Sequence, residues 1–114
     1  MPNPSKYRAI KTTIDDIMFD SKAESRRYCE LKLLEKAGEI KDLELQPKFV
    51  LQEAFTRKDG KKFRPITYKA DFRYYDLTAG HEVIEDVKGH ITQQFRLRQK
   101  MFECRYPDLI LKIV

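Results

Sequence analysis

Long apolar runs are missing from this 114-residue chain. None approaches the roughly 18–20 residues that a membrane-spanning helix needs. Met1–Arg8 holds no apolar core, so no secretory leader is expected and the protein reads as cytosolic, with no membrane partner. Cysteine is scarce as well. Cys29 and Cys104 stand in no metal-ligand spacing and in no secretory context, which predicts reduced, partly buried thiols in place of a disulfide framework. His81 and His90 are nine residues apart, a spacing that does not make a zinc site. No internal repeat and no low-complexity tract is present.

Charge is what the chain has in quantity. Charged residues make up 36% and hydrophobic residues 41%, the balance of a globular domain. Lys and Arg number 23 against 18 acids, for a net charge of +5 and an isoelectric point near 9.2. That excess suits a polyanionic partner, because phosphate contacts depend on cationic side chains. It gathers in "RKDGKKFR" (57–64) and "RLRQKMFECR" (96–105), either of which a solvated surface would equally explain. The length predicts one domain over residues 9–114, preceded by a flexible tail over residues 1–8.

The pattern along the chain predicts α-β-β-β-α-β. In "MFDSKAESRRYCELKLLEKAGEI" a helix is expected, with Asp20 or Ser21 as its N-cap, Glu24 at the capping-box position and Gly38 as its stop. "LELQPKFVLQEAF" reads as extended and interrupted by Pro47, and Asp59-Gly60 signals a hairpin turn. "ITYKADFRYYD" reads as one strand with Tyr68, Ala70, Phe72 and Tyr74 on one face and Lys69, Asp71, Arg73 and Tyr75 on the other. "HEVIEDVK" is the third strand. A second helix runs from a Thr92 cap to about Tyr106, and "LILKIV" closes the chain as an apolar strand. The fold class expected is α/β, a mixed sheet flanked by helices.

Strand period separates the acids near the third strand. In "VIEDVK", Asp86 and Lys88 share a face with Ile84, while Glu85 points the other way with Val83 and Val87. A carboxylate can hold a hard divalent ion while a lysine beside it orients water or offsets charge at a phosphate. Asp71, on the preceding strand, is expected near enough to bridge the same ion. Glu24 falls on the inward stripe of the first helix with Tyr28 and Leu31, where an acid needs a partner, a cap or a metal. A register slip of one residue would exchange Asp86 for Glu85. The bland readings are a cross-strand charge ladder at Asp71, a surface ion pair of Asp86 with Lys88, and a Glu24 that only caps or pairs with Arg27.

Glu24, Asp71 and Asp86-Val87-Lys88, carried by "FDSKAESRRYCEL", "LQPKF", "YKADFRYY", "VIEDVKG" and "RLRQKMFECRYP", resemble the PD-(D/E)xK nuclease superfamily over most of the chain. The likeness is to small phage-encoded members related to Holliday-junction resolvases and transposon-end endonucleases. Ala70 stands where the superfamily often has proline before the second-strand acid. The resemblance implies a restriction-endonuclease-like αβββαβ core in a phage- or prophage-encoded protein of the bacterial cytoplasm. It implies a Mg²⁺- or Mn²⁺-dependent DNA endonuclease. Asp71, Asp86 and the Val87 backbone carbonyl would be metal ligands, with Glu24 assisting and Lys88 in the place of the superfamily lysine. Gln46 resembles a polar residue near the active site of the phage relatives, and Glu85 is the alternative third-strand acid.

Arg96, Arg98 and Lys100 on the second helix, and Lys61 and Lys62 in the hairpin, are the expected grips on the nucleic-acid backbone. Phe95, Gln99 and Phe102 read as core, and Tyr68, Tyr74 and Tyr75 as sheet packing. So short a chain has little room for separate sequence reading, which suits structure-dependent recognition of DNA; the resemblance then implies branched DNA as the substrate, and a homodimer fits its symmetry. The competing readings are a nucleic-acid-binding accessory protein without turnover, and a structural domain whose charges only solvate it.

Overall fold

The computed structural model describes residues 11–114, and the tail expected over residues 1–8 lies outside them. The first described element was not expected. Strands β1 (Thr12–Ile14) and β2 (Ile17–Phe19) form a hairpin ahead of the first helix. Its turn is Asp15-Asp16, both in the left-handed region (φ 53° and 62°), the conformation that a two-residue turn between twisted strands requires. Aspartate tolerates it better than most side chains, but the pair lacks the glycine that usually announces such a turn.

Helix α1 (Lys22–Lys36) begins as its cap predicts, and the structure chooses Ser21 over Asp20: the Ser21 side-chain oxygen accepts from the Glu24 N–H at 3.1 Å. Gly38 (φ +80°) ends it, its N–H donating to the Glu35 carbonyl. Ser21→Ala is therefore expected to lower stability by about 1 kcal/mol in urea unfolding. A change below a few tenths would mean that water satisfies the helix end unaided.

The central sheet has four strands in the order β10-β9-β8-β3, formed by Ile110–Ile113, His81–Asp86, Phe72–Asp76 and Ile40–Leu45. β8 and β9 are a hairpin whose turn Asp76 organises by accepting from the Thr78 and Ala79 N–H groups. β10 runs parallel to β9, which demands a crossover, supplied by helix α2 (Gln93–Arg105) under a Thr92 cap. The architecture is thus a small α/β domain with a mixed sheet and two helices.

The stretch expected to be one strand over "ITYKADFRYYD" is two. β7 (Ile66–Lys69) pairs with β4 (Lys48–Gln52), and β8 pairs with β3, so two neighbouring strands break side by side at Gln46-Pro47 and Ala70-Asp71. The ladder survives the break, with Gln46 N–H donating to the Asp71 carbonyl and Ala70 N–H to the Pro47 carbonyl. Pro47 has no N–H to give and Gln46 takes φ +53°, so the chain bends there. The facial assignment is corrected accordingly. Tyr68 and Ala70 pack with Phe49, Ile84, Phe95 and Phe102 under α2, whereas Phe72 and Tyr74 pack with Phe19, Tyr28, Leu31 and Val83 under α1. Val83 and Ile84 are successive residues of β9 and lie in different clusters, so the two helices cover opposite faces.

The hairpin signalled by Asp59-Gly60 is present. Among the described residues, β5 (Phe55–Thr56) and β6 (Lys62–Phe63) pair only with each other. Their Phe55 and Phe63 rings stack at 4.8 Å, and every residue from Gln52 to Lys62 is exposed. Cys29 and Cys104 are free thiols, as expected, but exposed rather than partly buried. Each lies within two residues of a buried ring on its helix, Tyr28 or Phe102, and so turns toward solvent. No helix among the described residues is long and apolar enough to cross a membrane.

Candidate active site

Asp71 is the first residue past the bend, just before β8, whose first residue Phe72 lies opposite Glu85; its carboxyl meets that of Asp86. Backbone bonds fix it there. Its N–H donates to the Glu85 carbonyl at 3.0 Å, and one of its carboxylate oxygens accepts from the Val87 N–H at 2.7 Å. Asp86 is 1% exposed. One oxygen accepts from the Tyr68 hydroxyl and the other faces the Lys88 ammonium at 3.3 Å. Lys88 also stands 4.9 Å above the Phe95 ring, which gives its charge a second attraction.

Glu24, 6% exposed on α1, supplies a third acid from a separate element. Burial raises its pKa first, then the charges of Asp20 and Asp86, against Lys88 and Lys69. The Asp71 carboxyl is pushed up to about 7. Burial is the main cause, the Val87 N–H opposes it, and the neighbouring Asp86 and Glu24 carboxylates add to the rise. Four residues expected to converge, Glu24, Asp71, Asp86 and Lys88, therefore share one electrostatic neighbourhood.

Val87 occupies an informative position. Asp86 and Lys88 bond on the β10 side, through Val114 N–H to the Asp86 carbonyl and Lys88 N–H to the Val114 carbonyl. The peptide groups of a strand alternate, so those of Val87 face the opposite edge, where Asp71 takes its N–H. Among the described residues no three acidic, histidine or cysteine side chains form a ready ion cage. Two facing carboxylates still suit a hard divalent ion, which keeps water and substrate oxygens in its other positions. Burial, with the Asp86 and Glu24 charges adding to it, raises the pKa of Asp71, and a cation between the carboxylates would favour the ionised form.

The register alternative at Glu85 is resolved by what holds it. Glu85 is fully buried on the α1 face, where Arg27 grips both oxygens at 2.6 and 2.7 Å and the Tyr74 hydroxyl donates to it. Arg27 thus turns to Glu85, with Glu30 at 3.5 Å, and Arg73, the neighbour of Asp71 in the charge-ladder reading, is held by Glu82 instead. Gln46 is exposed at the bend and meets Asp71 through its backbone. Arg98 is half-buried and lines one cavity with Lys88, whereas Arg96 and Lys100 lie exposed one turn apart on α2. Lys61 and Lys62 are exposed on the β5–β6 hairpin, away from the acids in sequence and in sheet.

Tyr68, read as sheet packing, is the residue that sequence reasoning missed. Its ring does pack on Phe95 and Phe102, but its hydroxyl goes to Asp86. The signal was available, because a buried tyrosine needs a partner for its hydroxyl.

No curated protein and no solved structure matches the chain. Its residues 4–114 match the family model described as protein of unknown function (DUF1064), and the chain belongs to that family.

Proposed function

We propose that the protein is a metal-dependent DNA endonuclease of the PD-(D/E)xK kind, with a restriction-endonuclease-like core, acting on branched DNA in a phage-type process in the bacterial cytoplasm. The observation that carries this reading is the meeting of Glu24, Asp71 and Asp86 with Lys88 from three elements of the chain. The element order α1, bent strands, β9, α2 and a parallel β10 is consistent with the core proposed.

Asp71 and Asp86, with the Val87 carbonyl, would hold Mg²⁺ or Mn²⁺, which supplies a Lewis acid for a phosphoryl oxygen and a lowered pKa for bound water. The Tyr68 hydroxyl and the Val87 N–H hold the two carboxylates in orientation. Lys88 offsets negative charge developing at the phosphate or positions the attacking water. Glu24 adds a third carboxylate for a second ion or for water. Phe95, 7% exposed, keeps solvent from one side of Lys88.

The β5–β6 hairpin supports a duplex DNA partner. Residues 57–64 hold five basic side chains against one acid, Asp59, which Arg57 grips at 2.7 and 2.9 Å. A two-stranded ribbon fits the major groove of B-form DNA, whereas that of A-form RNA is too narrow. Replacing Lys61 and Lys62 by glutamine is expected to weaken duplex binding. The slope of log affinity against log salt should flatten by about 1 for each phosphate that the variant no longer neutralises. An unchanged slope would remove the hairpin from the interface.

Cleavage of a labelled four-way junction, a plain duplex and a single strand, each with Mg²⁺, Mn²⁺ or a chelator, tests the activity. Lys88→Ala is expected to reduce metal-dependent cutting about 10²–10³-fold with folding intact, and Asp86→Ala to abolish it. Tight binding without cutting in either metal would leave the accessory-protein reading. Neither binding nor cutting would leave the charges as surface solvation.

A further inference from the structure

A cavity of about 390 Å³ lies beside the acids, between β7 and the start of α2. Lys69, Lys88 and Arg98 line it together with Thr67, Thr92 and Gln94, and no acidic side chain does. The first turn of α2 likewise carries no acid. Lys88 is paired with Asp86, and Glu24 feels both lysines, but Arg98 adds a further positive charge to a concavity with no acid in its lining, so the cavity attracts an anion. Phe95, with Lys88 above its ring, and Tyr68 belong to the lining, so the cavity has an aromatic side and is otherwise polar and cationic. Its volume suits a phosphate with its sugar and is too small for a duplex.

We infer that this cavity is a binding site for one phosphate of a nucleic-acid strand, held by Arg98 and Lys69. Lys88 belongs both to this cavity and to the pair with Asp86, so the captured phosphate is the neighbour of the one presented to the acids. That adjacency rests on the nuclease reading; the capture itself does not. Arginine suits the role because its planar fork meets two phosphate oxygens at once. Arg98 alone of the α2 cations can play it, since Arg96 and Lys100 lie outside the cavity.

The test is binding, in chelator so that nothing is cut, of single-stranded and duplex oligonucleotides carrying one neutral methylphosphonate linkage at successive positions. One position is expected to cost the wild type about tenfold or more, and to cost Arg98→Gln and Lys69→Gln little further. Arg98→Lys, which keeps the charge, is expected to recover part of the loss and guards against a folding artefact. Inorganic phosphate and a mononucleotide serve as competitors. If they displace each other at the cavity while no linkage position couples to Arg98, the site takes free phosphate and the inference is wrong. A coupled linkage on an oligonucleotide that is never cut in Mg²⁺ would keep the subsite and remove the nuclease reading. Cutting with no coupled linkage would do the reverse.

Discussion

Asp71→Asn is expected to abolish metal-dependent cutting and, in the same molecule, to make the metal-free protein more stable at neutral and alkaline pH. The carboxyl of Asp71 has an ordinary value near 3.8 and is pushed up to about 7 in the fold, chiefly by burial, with Asp86 and Glu24 adding to it. Because the folded value is the higher, its contribution is fully present below about pH 4 and is lost as pH rises through 7. The ionised cluster then costs the fold on the order of 2–4 kcal/mol. Asparagine still accepts from the Val87 N–H, can donate to Asp86, and does not titrate. Thermal unfolding between pH 4 and 8 should therefore slope downward for the wild type and lie flatter for the variant. Adding Mg²⁺ at pH 8 should raise the wild-type midpoint and leave the variant's where it is. If Mg²⁺ shifts neither, the carboxylates do not form an ion site.

Arg27→Ala is expected to cost about 3–5 kcal/mol, a large part of the roughly 5–15 kcal/mol that holds a domain of this size together. The loss comes from Glu85 more than from Arg27. Glu85 is fully buried and both its oxygens depend on the guanidinium and on Tyr74, so removing the cation leaves a charge with no water to solvate it. The same bonds hold the Arg27 pKa well above its ordinary value. Changing the whole set, Arg27→Met with Tyr74→Phe and Glu85→Met, should recover most of the loss, since apolar groups of similar volume replace a desolvated pair at little net cost. Urea unfolding measures both. A single-variant loss under about 1 kcal/mol would mean that Glu85 reaches water when Arg27 goes. Cutting activity that survives in the triple variant would exclude Glu85 as a ligand.

The parts of this fold legible from the sequence are those set by neighbours along the chain. Ser21, Thr92, Gly38 and Gly60 act within three or four residues of themselves, and both helices and the 57–61 turn lie where those residues put them. The period of two along "VIEDVK" was likewise enough to set Asp86 and Lys88 on one face and Glu85 on the other. The Asp15-Asp16 hairpin was missed because its turn relies on aspartates where glycine is the usual signal. The expected face of Tyr68 was wrong because strand alternation holds only while a strand runs unbroken, and this one bends at Ala70-Asp71.

What the sequence determined by itself, then, was the kinds of elements, their caps, and which acids could stand beside which base. What only the tertiary structure decided was the bend that carries Tyr68 to Asp86, the grip of Arg27 on Glu85 across 58 positions, and the exposure of the two cysteines. The physical reason is range. Caps and strand period are made by bonds between near neighbours, whereas burial, and the pKa of Asp71 with it, depends on everything packed around a group.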